Sequence, residues 1–316
     1  MLRLVAQGPA RPVPRILALL PAVLCVSILS GGCAPKSSAV GVVARPSGGR
    51  ISAKIAPVRE ISSVDRISVQ PGGGHIAFVS EDASSNERAF SLSSWDASPA
   101  VPLGPVQGGP VWVSASNEGV YMTDVKGLRF ARWTGLPART ASLGGDAIGV
   151  IPSPSGRRLF VDYGRMPSDT AHLPWPSIIE ASTHRSLYTW MGSPNAGGGV
   201  AWLDESTLLF DSEAYGQNAG PILAAHLERA GRIRYKDTGL RGMWPTPSPD
   251  GRTWAYADQN GMLVLYDPIS KREIGRWAAR SRPEGPPSGL AWADGTHVLY
   301  VDDRLRVLDV KGALKN

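Results

Sequence analysis

Five histidines, two cysteines and a recurring set of aspartates are the side chains of this 316-residue chain best suited to chemistry. His75, His172, His184, His226 and His297 are scattered, and none has the His-Glu-x-x-His spacing that puts two ligands on one helical face. Cys25 and Cys33 both lie in the N-terminal segment, so the body of the chain offers no thiolate. There is no Gly-x-Ser-x-Gly elbow to expose a nucleophilic serine and no phosphate-binding loop. Gly72-x-Gly74-x-x-Ala77 matches a dinucleotide-binding pattern by letter, but it leads into a strand and not a helix, so that mechanism fails. Asp124, Asp258 and Asp302 fall where apolar stretches end, with Asp162 and Asp211 one place earlier in theirs. Acids gathered on one face suit a hard cation such as Ca²⁺. Asp is also favoured at strand ends for turn formation, and its regular recurrence here favours the turn reading. No catalytic residue, metal site or cofactor is expected.

The elements that carry these residues repeat. Ser248-Pro249-Asp250-Gly251 is a turn sequence: Pro249 presets φ, Asp250 bonds nearby backbone and Gly251 supplies a positive φ. It leads into Trp254-Ala255-Tyr256, an apolar triplet suited to a strand buried on both faces. The same frame leads from Gln70 into Ile76-Ala77-Phe78, from Ser153 into Leu159-Phe160-Val161 and from Trp292 into Val298-Leu299-Tyr300. Two weaker copies run from Ser114 into Val120-Tyr121-Met122 and from Trp202 into Leu208-Leu209-Phe210. The fourth turn position falls at Gly73, Asn117, Gly156, Glu205, Gly251 and Gly295, at intervals of 44, 39, 49, 46 and 44 residues.

A period near 40–45 residues containing several strands is the mark of a propeller blade. Each copy has an apolar strand before the turn and another after the triplet, for example Met262–Tyr266 and Leu305–Val310. Five copies add a more polar outer strand, predicted at Ala100–Leu103, Thr140–Leu143, Leu187–Met191, Arg232–Tyr235 and Glu273–Trp277. The sixth copy stops short of its own, and Ile51–Val58 is predicted to pair into that blade and close the ring, removing an exposed edge. The expected fold is all-β: a six-bladed β-propeller of four-stranded antiparallel blades over residues 51–316. The alternative, a β-sandwich with Gly-rich turns, does not explain six aligned triplets.

The Ser-Pro-Asp-Gly turn followed by an apolar-Ala-aromatic strand resembles the WD-like repeats of the Tol-Pal system's periplasmic propeller protein and the propellers of prolyl oligopeptidase-type peptidases. Ser248–Tyr256 carries the resemblance best, and the second and fourth copies lack its Pro and Gly. The likeness implies a fold and no activity, because the motif builds blades. A hydrolase domain of the kind that accompanies some related propellers is not expected beside the repeats.

Residues 1–33 read as a secretory leader: Arg3, Arg11 and Arg15 precede a short apolar run over 16–29 that is too short to cross a hydrocarbon core of about 30 Å comfortably. Ser30-Gly31-Gly32-Cys33 resembles the lipobox of bacterial lipoproteins, with Ser30 where that family usually has Leu, and implies lipid attachment at Cys33. Ordinary cleavage after Ala34 is the alternative, although Pro35 would then follow the scissile bond. Residues 34–50 are small, polar and Gly/Pro-containing, as expected of a flexible tether. The formal charge of +6 falls to +3 without the leader's three arginines, and an exported chain is not expected to meet nucleic acid. Basic stretches around Arg232 and Lys271 fall on predicted outer strands, where charge protects edges.

Two repeats carry insertions between corresponding strands, which places both on one face of the disc, and repeat proteins often bind through such loops. The candidate contact residues are Tyr163, Arg165, His172, Trp175, Tyr215, Gln217 and Asn218. The expected function is non-catalytic: a monomeric, exported, membrane-anchored module of the bacterial cell envelope that binds or scaffolds a protein partner. The alternative is a Ca²⁺-dependent propeller hydrolase or lactonase using acids near the central channel.

Overall fold

A computed structural model describes residues 55–62, 64–81, 87–93, 100–105, 112–124, 127–133, 139–140, 147, 149–163, 176–190, 196–212, 220–278, 289–302 and 304–315. They form six four-stranded antiparallel sheets. The first strand, β1 (Ile55–Ser62), belongs to the last sheet. Blade 1 contains β2 (Val64–Val69), β3 (Ile76–Glu81), β4 (Glu87–Leu92) and β5 (Val101–Pro105). Blade 2 contains β6 (Trp112–Ala115), β7 (Gly119–Asp124), β8 (Gly127–Arg132) and β9 (Arg139–Thr140). Blade 3 contains β10 (Gly149–Pro152), β11 (Arg158–Asp162), β12 (Ser177–Glu180) and β13 (Ser186–Thr189). Blade 4 contains β14 (Ala196–Asp204), β15 (Thr207–Ser212), β16 (Pro221–Leu227) and β17 (Ile233–Arg241). Blade 5 contains β18 (Met243–Pro247), β19 (Trp254–Ala257), β20 (Met262–Asp267) and β21 (Arg272–Ala278). Blade 6 contains β22 (Gly289–Trp292), β23 (His297–Val301) and β24 (Arg304–Asp309), with β1 as its outermost strand.

The ring is closed. Each inner strand packs against the next, from β2 through β6, β10, β14, β18 and β22 back to β2. The predicted closing strand is found over the described part of Ile51–Val58 and runs on to Ser62: β1 pairs antiparallel with β24, with Ala56 opposite Val307, and residues 51–54 lie outside the described residues. One outer strand is longer than predicted. β17 continues past Tyr235 because Asp237-Thr238-Gly239, which reads as a turn, forms a bulge inside the strand. Gly239 takes φ +82° there, its N–H donates to Asp237 Oδ1 at 2.7 Å, and Thr238 Oγ1 donates to the Ile222 carbonyl at 2.6 Å.

The apolar triplets are the core. Fifteen of their side chains, all but those of Tyr121, Trp254 and Tyr256, are no more than 2% exposed. Within a triplet the first and third residues face the preceding blade and the middle one faces the following blade. Thus Ile76 and Phe78 pack with Leu299, Ala77 packs with Val120 and Met122, and Ala255 packs with Val298 and Tyr300. Phe160 meets Leu208 and Phe210, where Trp190 is wedged edge-on against both phenyl rings and Tyr235. Burial there pushes the Tyr235 hydroxyl up to about 12. A strand buried on both faces needs a continuous apolar run, which is why these segments lack the alternation of a half-exposed strand.

The register leading into each triplet separates odd blades from even ones. Six residues lie between the partners Val69 and Ile76, Pro152 and Leu159, and Pro247 and Trp254. In the even blades five lie between Trp202 and Leu208 and between Trp292 and Val298, and four between Ala115 and Val120. The expected gapless alignment of the turns therefore holds from the triplet onward but slips by one or two residues before it. Pro opens the long turns; an Asp or Ser oxygen closes the short ones, as where Asp294 Oδ1 accepts the N–H groups of Thr296 and His297 and Ser116 Oγ accepts those of Glu118 and Gly119.

Each even blade also reaches back to the odd blade before it at one equivalent point. Trp202 Nε1 donates to the Ile151 carbonyl at 2.9 Å, and Trp292 Nε1 donates to the Thr246 carbonyl at 3.1 Å. In blade 2 the Ala115 N–H donates to Ser68 Oγ at 2.9 Å. Where the fourth turn position is not Gly, its side chain bridges blades: Asn117 Nδ2 donates to the Pro154 carbonyl, and Glu205 accepts from Ser153 Oγ and the Ser155 N–H.

These straps set a testable difference among buried tryptophans. Trp202→Phe removes a made hydrogen bond and strands the Ile151 carbonyl, at a cost of about 1–3 kcal/mol. The buried Trp254 Nε1 has no hydrogen-bond partner among the described residues, so Trp254→Phe deletes the same atoms without that loss. Thermal melts are expected to place Trp202→Phe several degrees below Trp254→Phe, given about 2–4 °C per kcal/mol at this size. Equal midpoints would remove the strap's contribution.

Candidate functional site

The six inner strands surround a central channel that holds a cavity of about 230 Å³. Its described wall is built from the backbones and side chains of β2, β6, β10, β14, β18 and β22 and the turns that follow them. No Asp, Glu, Lys, Arg or His contributes to that wall. Several of its polar groups already serve the ring. Ser68 Oγ accepts the Ala115 N–H, Ser248 Oγ donates to Asp250, and Trp202 and Trp292 make the straps described above. The remaining character is aromatic and prolyl, with Trp112 and Trp244 both half-buried on the channel.

Trp112 and Trp244 lie on blades 2 and 5, three blades apart and so on opposite sides of the ring. Their level along the axis is similar: Trp112 pairs with Thr123, and Trp244 follows Met243, which pairs with Ala257. Thr123 and Ala257 each come one residue after their triplets. That end of the channel is also where the connections 164–175 and 213–219 begin and end, since both join a blade's second strand to its third.

The backbone at Trp244 is unusual. It takes φ +55°, in the left-handed region, and it precedes Pro245, a position that favours extended backbone. A bulky residue held there stores of order 1–3 kcal/mol of strain. Asp211 Oδ2 fixes it, accepting the Trp244 N–H at 2.9 Å and the Gly199 N–H at 3.1 Å. Asp211 is only 3% exposed and ties the inner strands of blades 4 and 5 together. The approach requires a glycine: a Cβ on Gly199 would lie 2.6 Å from Trp244 Cα and 2.8 Å from Asp211 Oδ2. Both inner strands shift register at this point, β14 between Ala196 and Val200 and β18 between Met243 and Thr246. On blade 2 the Trp112 indole fits against Gly149, whose Cβ would touch its ring at 3.4 Å.

Two other acids of the repeat, Asp258 and Asp302, are occupied by turns. Asp258 Oδ1 accepts the N–H groups of Asn260 and Met262 at 2.8 and 2.9 Å, and its second oxygen pairs with Arg276. Asp302 receives the Arg304 N–H and pairs with Arg306 Nε. Among the described residues no group of three His, Cys, Asp or Glu is placed to hold a metal ion. The described histidines are likewise dispersed. His75 stacks on Trp133 at 4.6 Å, His226 sits 3.3 Å from Thr207 Oγ1, and His297 Nδ1 meets Asp294 at 2.8 Å.

Of the loop residues singled out from sequence, Tyr163 is described. It is 7% exposed and packs with Val150, Leu159, Val161 and Ile179, so it roots its loop in the core, and burial raises its hydroxyl pKa. Arg165, His172, Trp175, Tyr215, Gln217 and Asn218 lie outside the described residues, as does Cys33. The channel tryptophans and the Asp211–Gly199 contact were not expected from sequence. The signal for the first was Trp recurring near the start or end of inner strands, at 112, 202, 244 and 292.

No protein-family model matches the sequence, and no curated protein does. Among solved structures, the β-propeller domain of Myceliophthora thermophila Cps50 (Swd1) superposes with a TM-score of 0.54 at 11% identity, covering 82% of this chain and 100% of that one. A structural-genomics protein of unknown function from Bacteroides thetaiotaomicron superposes with a TM-score of 0.52 at 11% identity, covering 81% of this chain and 72% of that one. At these identities the likeness establishes the fold, and the chain is a six-bladed β-propeller.

Proposed function

We propose that this propeller is a non-catalytic binding module of the bacterial cell envelope, exported by its N-terminal segment, lipid-anchored at Cys33 and presenting its disc to a protein partner through the loops 164–175 and 213–219. The observation that carries the non-catalytic reading is the channel wall, where no Asp, Glu, Lys, Arg or His among the described residues is placed to act as acid, base or activated nucleophile. Two of the acids that motivated a Ca²⁺-dependent hydrolase support it poorly, because Asp258 and Asp302 are engaged by turn N–H groups and arginines. The anchored reading rests on the leader and on Ser30-Gly31-Gly32-Cys33. A rigid, closed ring with two long connections on one face suits presentation of a binding surface.

Three measurements test this reading. Cys33→Ala is expected to move the protein from the membrane to the soluble fraction; unchanged association would remove the anchor. Crosslinking in native membranes is expected to capture a partner that is lost when 164–175 and 213–219 are replaced by Gly/Ser, whereas retention would move the contact surface elsewhere. Excess Ca²⁺ or a chelator is expected to leave the thermal midpoint unchanged. A site filled to 100 times its Kd would add about 2.7 kcal/mol, which a melt would report as a shift of several degrees.

A further inference from the structure

The chain enters the propeller on one particular face. β1 begins with Ile55 opposite Leu308, and the next residue of β24, Asp309, pairs with His297 at the start of β23. Ile55 therefore lies at the end of blade 6 where the inner strand turns into the second strand, here the turn face. The connections 164–175 and 213–219 join second strands to third strands and open on the opposite face. Among the described residues two large apolar side chains are exposed, Ile269 at 81% and Val101 at 47%. Ile269 stands in the connection closed by the pair Asp267 and Arg272, next to Tyr266, which pairs with Trp254 at the start of β19. Val101 pairs with Ser91, and Ser91 pairs with Ala77, the second residue of β3. Both lie at turn-face ends, on blades 5 and 1, the two blades that flank blade 6 and its incoming chain. A lone apolar residue on a surface needs no explanation, but two of them on one face, on either side of the chain's entry, do.

We propose that the turn-face edge of blades 5, 6 and 1 rests on a lipid surface, with Ile269 entering the boundary between headgroups and acyl chains. The proposal rests on the membrane-anchored reading above and deepens it: it fixes which face meets the bilayer and points the connections 164–175 and 213–219 away from it. The chemistry of the turn suits an interface. Asp267 Oδ1 accepts the N–H groups of Ile269 and Ser270 at 2.8 and 3.2 Å, and Oδ2 accepts the Ser270 hydroxyl at 2.6 Å, so polar groups of the turn are satisfied within it. Lys271 and Arg272 follow, both exposed, with stems that can lie along an apolar surface while their charged heads stay hydrated. On this edge the cations Arg252, Lys271 and Lys311 are matched by acids such as Asp250, Asp267 and Asp309, so little net charge opposes the approach to headgroups. One inserted side chain would bind weakly alone. A flexible tether over 34–50 spans about 20–25 Å, which holds the edge at high effective concentration beside the membrane.

The test uses the full chain with Cys25→Ser, Cys33→Ser and an N-terminal histidine tag, held on phosphatidylcholine–phosphatidylglycerol vesicles by nickel-chelating lipid, so it does not depend on native lipidation. A bimane label is placed at Arg252→Cys or Gly295→Cys on the turn face, or at Gln259→Cys at the opposite end of blade 5. All three positions are exposed, and a Cβ at Gly295 meets nothing within 4 Å. With nitroxide-labelled lipid in the vesicles, quenching is expected to be several-fold stronger at Arg252→Cys and Gly295→Cys than at Gln259→Cys. Adding Ile269→Asp is expected to lower the quenching at Arg252→Cys while the thermal midpoint stays in place, since the side chain it replaces supports no core. Equal quenching on the two faces, or quenching at Arg252→Cys indifferent to Ile269→Asp, would overturn the proposal. Failure of the lipid anchor would appear instead in the fractionation of Cys33→Ala, a separate result.

Discussion

Burial of each blade between its two neighbours is the constraint on which this molecule depends. A single four-stranded blade has two apolar faces and no core of its own. The triplets solve this by dividing their side chains, two toward the blade before and one toward the blade after. Each well-buried Leu, Ile, Val or Phe contributes about 1.5–3 kcal/mol, but only while both neighbours are present. Stability is therefore a property of the closed circle. That gives β1 its importance: it adds the strand that blade 6 lacks and ties the start of the propeller to its end. The small middle residues Ala77 and Ala255 show how finely the division is fitted, for each stands opposite larger side chains of the next blade.

The blades are not six equal units. Odd blades turn through six residues with a proline, even blades through fewer with Asp or Asn, and each even blade grips the odd blade before it at one equivalent position. This explains why the turn signature fades in alternate copies. In blades 2 and 4 the residue standing in place of Gly is not a degraded turn residue but a brace, since the side chains of Asn117 and Glu205 cross to blade 3. A glycine there would relax the turn and lose the bridge.

Much of the fold was legible because its main term is local. An apolar triplet after a turn records double-sided burial within a dozen residues, and six such records at a steady interval define the architecture and the need for a closing strand. What escaped detection depended on partners distant in sequence. Asp211 sits at a strand end and reads as a turn acid like Asp258, yet its carboxylate serves the backbone of Trp244, 33 residues later, and fixes two inner strands. β17 outran its prediction because Asp237-Thr238-Gly239 has turn composition, and only the neighbouring strand converts it into a bulge. The slipped register of even blades was hidden for a similar reason: the triplets align whether or not the strands before them do. Among the loop residues chosen for their chemistry, Tyr163 proved to be core, which composition alone does not distinguish from contact surface.

The places where local rules fail are informative because they are few. Four residues other than glycine take positive φ among those described, and three of them, His184, Ala230 and Lys271, lie in turns or a short 3₁₀ segment at the ends of outer strands. Trp244 alone lies in an inner strand. Local preference there argues for extended backbone, and the buried carboxylate of Asp211 is a group the interior ordinarily excludes unless it is hydrogen-bonded. Two unfavourable choices converge on the contact between the inner strands of blades 4 and 5. That contact joins blades 4 and 5, a pair that none of the three straps joins, so the strained residue and the buried carboxylate serve the closed ring. The Trp244 side chain carries the joint on toward blade 6, packing against the core cluster that holds Leu290 and Trp292.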